Sequence, residues 1–408
     1  MDKINATTKK QSFFVTAIGI YICYAVLSMA QIIISQYSSF FQNSWQTDLH
    51  GISTVISMMG IGRILTILFA GYFSDKLGRK PVLLVGMACT VVFFLGLIFS
   101  TNVFMACIFS LFLGFTNSFG DAAAYPALSE AFPEKSASMN SLVKAAMSLA
   151  QFVLPFVVAA IPNAKITLWM LIAMIVIDIL IVLASKFAPQ VVTQPAPEKS
   201  TKNETSITNV NVGPKPNMRV DGAALIVLGF TISFTFYVYT QYIPNFGTAV
   251  LGLDKNAAAS LMSWYAIFSL VSVFVTSMMV TKIKPILLVI LYPLISVIFL
   301  IALVIAPSPA LAKITSAVIG FFAAGGVWQL GLAVITKYFP TEKGRVTGYY
   351  SFSAALTYFV GPFVSSFIIN STAGSVLKVF WIDIAFTIIG ISLATFVEIR
   401  NRKYKFFD

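Results

Sequence analysis

Charge is scarce in this sequence. Only 10% of the 408 residues are charged, whereas 58% are hydrophobic, and the mean hydropathy is +0.87. Soluble domains carry about 25% charged residues, so the composition excludes an ordinary soluble globular protein. Long apolar runs fill the chain and leave no room for a large soluble domain. The composition therefore indicates a membrane protein.

Cysteine and histidine are nearly absent. The three cysteines, Cys23, Cys89 and Cys107, all fall in apolar runs, and their odd number and spacing do not suit a metal site. We expect the single histidine, His50, to be a solvated loop residue. Neither a phosphate-binding loop of the Walker type nor a metal-ligand cluster occurs in the sequence. The sequence thus predicts a protein that is not an enzyme, with no cofactor and no ATP drive.

Apolar runs long enough to cross a bilayer recur along the chain. A spanning helix needs roughly 20 mostly apolar residues. By that criterion the sequence predicts twelve spans, numbered 1 to 12 in chain order: 12–40, 51–73, 81–100, 103–131, 137–160, 166–187, 221–247, 256–280, 285–305, 310–338, 344–370 and 375–399. The predicted fold class is an all-α membrane protein.

Basic residues indicate the orientation of these spans. If the N-terminus is cytoplasmic, 21 of the 27 Lys and Arg residues lie on the inside, four lie in outside loops, and Arg63 and Lys144 lie within spans. This asymmetry follows the positive-inside rule, so we expect both termini in the cytoplasm of a multi-pass protein of the cell membrane. It also accounts for the net charge of +12 without a nucleic-acid partner.

The chain divides into two similar halves. Residues 188–219 are polar and rich in Pro, Thr and Asn, which predicts a cytoplasmic linker between bundles at 1–187 and 220–408. The stretch "FPEKSASMNSLVKAAMSLAQFVLPFV" from Phe132 aligns without a gap on "FPTEKGRVTGYYSFSAALTYFVGPFV" from Phe339. Parallel repeats of this kind are typical of transporters that bind substrate between the halves near the bilayer midplane.

One short motif resembles a family signature. "GYFSDKLGRK", from Gly71 to Lys80, joins spans 2 and 3 and resembles the signature loop of the major facilitator superfamily at every defined position. The resemblance implies two six-helix bundles, secondary transport by alternating access, and a conformational latch at this loop. We expect Gly71 to allow close helix approach, Gly78 to permit a tight turn, and Asp75 to accept hydrogen bonds from a helix N-terminus or pair with a neighbouring cation. Arg79 and Lys80 would hold the loop on the cytoplasmic side, and Glu130, at the end of span 4 in the same layer, would pair with loop cations or helix ends.

Three ionisable residues lie deep in the first half. With a helix rise of about 1.5 Å per residue, Asp121, Arg63 and Lys144 lie roughly 14, 18 and 10 Å from the cytoplasmic ends of spans 4, 2 and 5, so all three can meet near one depth. Ionisable residues in spans usually pair with each other or mark substrate and ion routes. The formal charges of these three residues sum to +1, so one of the two cations remains to bind an anion. The alternative is a self-satisfied salt bridge that only holds the helices together.

Neutral side chains complete the predicted substrate site. The candidates are aromatic and amide residues of spans 1, 7, 8, 10 and 11, although packing or an interfacial belt is at least as frequent a role for such residues: Gln31, Tyr37, Tyr239, Gln241, Trp264, Trp328, Gln329 and Tyr350.

These residues favour a secondary transporter for a small organic anion, a mono- or dicarboxylate. Arg63 and Lys144 would bind the anionic group, and Asp121 would carry a proton or pair with a cation that substrate releases. The arrangement resembles both the oxalate/formate-antiporter branch and the lactose-permease-like branch. In the lactose-permease-like branch an acid on helix 4 pairs with a cation on helix 5, as Asp121 and Lys144 would.

A proton-coupled permease for a neutral sugar or polyol is the alternative. A multidrug exporter ranks lower, because span 5 lacks the glycines of the efflux motif. Direction and coupling mode stay open, and the expected state is a functional monomer in the lipid bilayer.

Overall fold

The structure is a computed structural model that describes residues 13–189, 216–280, 282–340, 343–370 and 372–404. Within those ranges the chain is almost entirely helical and contains no strand. Most of the predicted linker at 188–219 lies outside the described residues.

Seven helices make up residues 13–189, the described part of the first half. They are α1 (Phe14–Gln36), α2 (Ser38–Trp45), α3 (Leu49–Leu77), α4 (Arg79–Phe99), α5 (Val103–Ala131), α6 (Ser136–Ala160) and α7 (Ala164–Ala184). The short helix α2 follows a break at Tyr37, and a 3-10 turn at Pro133–Lys135 precedes α6.

Seven more helices make up the described part of the second half, from residue 216 to residue 404. They are α8 (Ala223–Ala249), α9 (Lys255–Met279), α10 (Pro285–Ile305), α11 (Pro309–Val318), α12 (Val327–Tyr338), α13 (Lys343–Ser366) and α14 (Ala373–Tyr404). A π-helical turn at Met218–Gly222 leads into α8.

The predicted all-α, twelve-span architecture is confirmed. Eleven helical segments of the described chain are long and apolar enough to cross a membrane. The twelfth span is α13, which at 24 residues is about 36 Å long and so also reaches across a bilayer. Its hydroxyl-rich sequence, "KGRVTGYYSFSAALTYFVGPFVSS", makes it less apolar than the others.

Side-chain caps fix where several helices begin. Asp48 accepts hydrogen bonds from the backbone N–H groups of His50 and Gly51 at the start of α3. Asn102, Asn163, Asp254 and Ser308 cap α5, α7, α9 and α11 in the same way. Such caps satisfy backbone donors that the helix itself leaves unpaired. All five caps lie at the same end of the molecule, which is called the outer end below because the predicted topology places these loops outside.

Span 10 is broken rather than continuous. A π-helical stretch, Ile319–Ala324, follows α11, and Gly326 then adopts φ +120° before α12 begins. This left-handed conformation favours glycine, so the Gly325–Gly326 pair that marks a weak point in the sequence does interrupt the helix. Pro126, Pro155 and Pro362, by contrast, lie inside uninterrupted helices.

Packing joins the halves along two seams. Helix α3 runs against α13, and α6 runs against α9. Within the halves, α1 packs on α6 and α7, while α8 packs on α13 and α14. A buried apolar core continues from one half into the other, and Arg63 of α3 lies against Tyr358 of α13 at the contact between them.

Candidate functional site

An ion pair occupies the middle of the first half. Arg63 Nη2 donates to Asp121 Oδ2 at 2.9 Å, and the Tyr24 hydroxyl donates to Asp121 Oδ1 at 2.8 Å. The Arg63 side chain is 14% exposed, whereas that of Asp121 is 37% exposed. Both carboxylate oxygens therefore have donors, while part of the acid stays accessible.

Close helix crossings place this pair. A Cβ at Gly60 would lie 2.1 Å from the backbone nitrogen of Phe359, and one at Gly114 would lie 2.2 Å from the carbonyl oxygen of Met59. Only glycine permits such contacts, so α3 touches the backbones of both α13 and α5 here. One turn further along α3, the Arg63 guanidinium lies 4.5 Å from the centroid of the Tyr358 ring. This cation–π contact reaches from the first half to the second.

Lys144 lies level with Tyr24 but pairs with none of the described residues. The Tyr21 hydroxyl donates to the Met139 carbonyl and that of Ser28 to the Met147 carbonyl, which sets the register of α1 against α6. Lys144 falls between these two levels and is half-buried. No hydrogen bond or ion pair joins it to another residue of the described chain.

Of the two cations that the sequence left open as partners of Asp121, Arg63 forms the pair and Lys144 does not. Arg63 is the partner because α3 and α5 cross in backbone contact at Gly62 and Gly114. Helix α6 packs mainly on α1 and α9, which keeps Lys144 on a different face of the site. The resemblance to the lactose-permease-like pairing therefore does not extend to these two residues.

An amide cluster joins the halves beside the ion pair. Gln31 Nε2 donates to Asn117 Oδ1 at 2.8 Å, and Gln241 Nε2 donates to the Gln31 carbonyl at 3.1 Å. Gln241 Oε1 is buried without a hydrogen-bond partner among the described residues. Of the neutral candidates, Gln31 and Gln241 are thus brought together by the structure.

The hydroxyl groups of three candidate tyrosines form hydrogen bonds away from the ion pair. Tyr37 lies at the outer end of α1, where its hydroxyl contacts the Ile161 carbonyl and Thr167 Oγ1, both at 2.7 Å. The Tyr239 hydroxyl pairs with Ser316 at 2.8 Å. That of Tyr350 donates to the Trp328 carbonyl at 3.0 Å. Each of these contacts holds one helix to another.

The remaining aromatic and amide candidates lie apart from the ion pair. Trp264 is 43% exposed and borders an apolar groove between α9 and α11, a position suited to contact with lipid. Trp328 is half-buried, with its ring 5.5 Å from that of Tyr350. Gln329 is exposed on α12.

Three further hydrogen-bond contacts join the halves at the outer end. Ser35 Oγ donates to the Gln241 carbonyl at 2.6 Å, and the Tyr242 hydroxyl donates to Ser53 Oγ at 3.0 Å. His50, in the first turn of α3, contacts the Ser366 carbonyl at the end of α13 through its ring nitrogen Nδ1. His50 is therefore exposed as expected, but it lies in a helix and not in a loop, and it contacts the other half.

The signature loop forms a network within the first half. Arg79 donates to Asp75 at 2.7 Å and to Glu130 at 3.1 Å. Lys80 Nζ donates to the carbonyls of Leu183 and Ser185 at 2.7 and 3.0 Å, which places a cation at the C-terminal end of α7, where the helix dipole favours it.

The two glycines of the loop differ in role. Gly78 has φ +99° and makes the tight turn between α3 and α4, as expected. The expectation for Gly71 is wrong in this conformation, because a Cβ there would meet no described atom within 4 Å. Close approach along α3 occurs instead at Gly60 and Gly62, which pack on α13 and α5.

Glu130→Gln is expected to destabilise the protein more than Asp75→Asn. The Glu130 side chain is 11% exposed, while that of Asp75 is 73% exposed. An exposed ion pair contributes about 0–1 kcal/mol, whereas breaking a buried one costs roughly 3–5 kcal/mol. Thermal unfolding in detergent, followed by intrinsic fluorescence, measures both variants. Equal shifts in Tm would show that burial does not separate the two acids.

Comparison with known proteins identifies relatives across the whole chain. A family model described as Major Facilitator Superfamily matches residues 20–324 and 251–406. The inner membrane transport protein YdiM of Escherichia coli (strain K12) is 33% identical over 398 residues, which cover 97% of this chain and 96% of that protein.

Solved structures share the fold at low identity. A D-xylose–proton symporter superposes with a TM-score of 0.74 at 15% identity, covering 95% of this chain and 97% of that one. The nucleoside transporter NupG, as a D323A mutant, superposes with a TM-score of 0.73 at 12% identity, covering 94% and 99%. At this level of identity the likeness establishes architecture and not substrate.

Proposed function

The chain belongs to the major facilitator superfamily of secondary transporters, and we propose that its substrate is a small organic anion, a mono- or dicarboxylate. The observation that carries this proposal is the charge balance of the central site. Asp121 already has two donors, Arg63 and Tyr24, whereas Lys144 has no acid among the described residues. A half-buried cation without a partner is costly in a membrane, so an anionic ligand would stabilise the site.

Arg63 supports the same proposal. Its Nε is buried without a hydrogen-bond partner among the described residues, while Nη2 is engaged with Asp121. A guanidinium has five N–H donors in a planar fork that matches a carboxylate. Arg63 can therefore hold Asp121 and still offer a donor to substrate, with Lys144 contacting the anion from α6.

Asp121 is the proposed coupling residue. It is the acid that contacts Arg63, and its exposed fraction of 37% leaves it open to water or substrate. We propose that substrate binding competes for Arg63, so that Asp121 takes up or releases a proton as the halves move. In the proposed topology, with cytoplasmic termini, the contacts at the outer end close the protein toward the outside and direct the site toward the cytoplasm.

We further propose that the transporter works as a monomer in the bilayer, with the signature loop as its latch. Latch residues Asp75, Arg79 and Glu130 would exchange partners as the cytoplasmic ends close.

A neutral sugar or polyol is the alternative substrate. The amide cluster of Gln31, Asn117 and Gln241 favours it, because Gln241 Oε1 has no donor among the described residues and a hydroxyl group would supply one. In that case Lys144 would not contact the substrate.

Lys144→Gln is expected to lower carboxylate uptake about tenfold, since a hydrogen bond to a charged group contributes roughly 1.5–3 kcal/mol. The thermal stability should stay unchanged, because no ion pair joins Lys144 to another described residue. Uptake of radiolabelled lactate, succinate, citrate, xylose and ribitol into proteoliposomes under a pH gradient is the measurement.

Lys313→Gln is the matched control for this test, since Lys313 is exposed at the outer end of α11. Sugar uptake with no carboxylate uptake in the parent protein would replace the first proposal with the second. Carboxylate uptake that is unchanged in both Lys144→Gln and Arg63→Gln would refute the anion site.

A further inference from the structure

A polar cleft opens at the outer end, away from the central ion pair. It has a volume of about 440 Å³ and lies between the outer ends of α1, α2, α8 and α9. Small-molecule sites typically measure roughly 300–1,000 Å³, so the cleft is large enough for a metabolite. Its lining includes amide, hydroxyl and ammonium groups: Gln36, Tyr37, Asn43, Asn245, Thr248 and Lys255.

Gln36 is the unusual member of this lining. The residue is 8% exposed, and both its Nε2 and its Oε1 are buried without a hydrogen-bond partner in the described parts of the chain. Its neighbours on either side do have partners, since Ser35 bonds the Gln241 carbonyl and Tyr37 bonds Thr167. Buried polar groups are nearly always hydrogen-bonded, so an amide with a free donor and a free acceptor on the wall of a cleft indicates a ligand.

The charged groups at the cleft indicate which kind of ligand would bind there. Lys255 is the one charged side chain among the lining residues. The adjacent acid, Asp254, is engaged as the cap of α9, where Oδ1 accepts from the backbone N–H groups of Asn256 and Ala257. Lys255 itself is exposed and has no hydrogen bond or ion pair to another described residue, so its ammonium group is available to an anion. Gln36 is available to a neutral group that both donates and accepts, as a hydroxyl does.

We propose that the outer cleft is a second binding site, which takes a small hydroxycarboxylate with its carboxylate toward Lys255 and its hydroxyl toward Gln36. The choice of a carboxylate rests on the function proposed above. The two sites are separated by the hydrogen bonds from Ser35 to Gln241 and from Gln241 to Gln31. Because Ser35 and Gln36 are consecutive, a ligand held by Gln36 adjoins the contact that must break when the outer end opens. The site thus captures substrate next to this contact.

Protection of an engineered cysteine tests the site without requiring transport. Asn43 is exposed on the cleft lining, so Asn43→Cys provides a reporter once Cys23, Cys89 and Cys107 are replaced by serine. Adding Arg63→Gln disables the central site. We expect lactate or malate to slow the reaction of this cysteine with a membrane-impermeant methanethiosulfonate at least threefold in proteoliposomes, and xylose to have no effect.

Two further substitutions assign the protection to the cleft. Lys255→Gln alters an exposed side chain and is expected to leave folding unchanged, while Gln36→Leu removes an unsatisfied buried amide and is expected to raise Tm. Each should abolish protection by lactate. Protection that survives either change, or that is absent from the parent, overturns the second site.

Carboxylate uptake tests the proposed transport function independently of ligand binding in the cleft. Uptake is measured in the same cysteine background with Arg63 intact. Carboxylate uptake without protection at Asn43→Cys would refute the cleft and leave the proposed function standing. Protection without uptake would refute carboxylate transport and retain the cleft as a binding site.

Discussion

Arg63→Gln is expected to lower carboxylate uptake roughly 100-fold, because truncating one member of a buried charge pair costs about 2–5 kcal/mol. The change removes the donor that holds Asp121 and the spare N–H proposed to bind substrate. It also removes the cation–π contact with Tyr358 on α13, so the loss affects binding and the contact between the halves together. Initial rates of lactate and succinate uptake into proteoliposomes measure the effect.

Arg63→Gln should have a smaller effect on the free energy of unfolding than on transport. Asp121 is 37% exposed and keeps its bond from Tyr24, so solvent screens part of the charge that Arg63→Gln leaves unpaired. We expect a loss of about 1–2 kcal/mol in the free energy of unfolding, below the 3–5 kcal/mol typical of fully buried pairs.

A double substitution separates the two roles of Arg63. Arg63→Gln with Asp121→Asn replaces the ion pair by neutral amides, so neither partner is left as an uncompensated buried charge. The double variant should therefore unfold near the Tm of the parent and still fail to transport. If it recovered uptake as well as stability, Arg63 would be structural, and the salt bridge that only joins helices would be the correct interpretation. Arg63→Lys is the matched control for charge without the planar fork.

Sequence patterns predicted the architecture because a membrane-spanning helix must be long and apolar, and both properties can be recognised in one segment of the sequence. The twelve spans follow from apolar runs, and the tight turn at Gly78 follows from the signature loop, where φ is +99°. These features are local, so neighbouring residues in the chain are enough to specify them.

Side-chain partners depend on where helices cross, and the sequence of one helix does not show where it crosses another. Depth alone allowed Asp121 to pair with either Arg63 or Lys144, and the close approach of α3 and α5 at Gly62 decides for Arg63. Glycines at such crossings resemble ordinary membrane-helix glycines in the sequence. Gly71 was therefore expected to mediate contact, whereas Gly60 and Gly62 do so.

Aromatic residues were harder to assign for the same reason. Tyr24 and Tyr358 contact the ion pair, while Tyr239 and Tyr350 hold helices together. A tyrosine supplies apolar area and one hydroxyl in either role. Only the direction in which its helix face points distinguishes them, and that direction is set by tertiary packing.

Asp121→Asn is expected to separate accumulation from exchange. An amide preserves the shape of the carboxyl group and can still accept a hydrogen bond from Arg63 or Tyr24, but it cannot carry a proton. If Asp121 couples a proton to substrate movement, the variant should lose accumulation driven by a pH gradient, by about tenfold for each unit of the imposed gradient, since a tenfold ratio corresponds to 1.4 kcal/mol. Counterflow, in which unlabelled internal substrate exchanges for labelled external substrate, needs no net proton transfer and should continue.

Counterflow and gradient-driven uptake in the same vesicles therefore decide the role of Asp121. Asp254→Asn is the matched control, because Asp254 is an exposed helix cap and asparagine caps a helix about as well as aspartate. Normal accumulation in Asp121→Asn would make the carboxylate a structural partner of Arg63. Loss of counterflow together with accumulation would place Asp121 in substrate binding instead. Only the retention of exchange without accumulation agrees with an acid that is held by Arg63 and Tyr24, yet exposed enough to meet a proton.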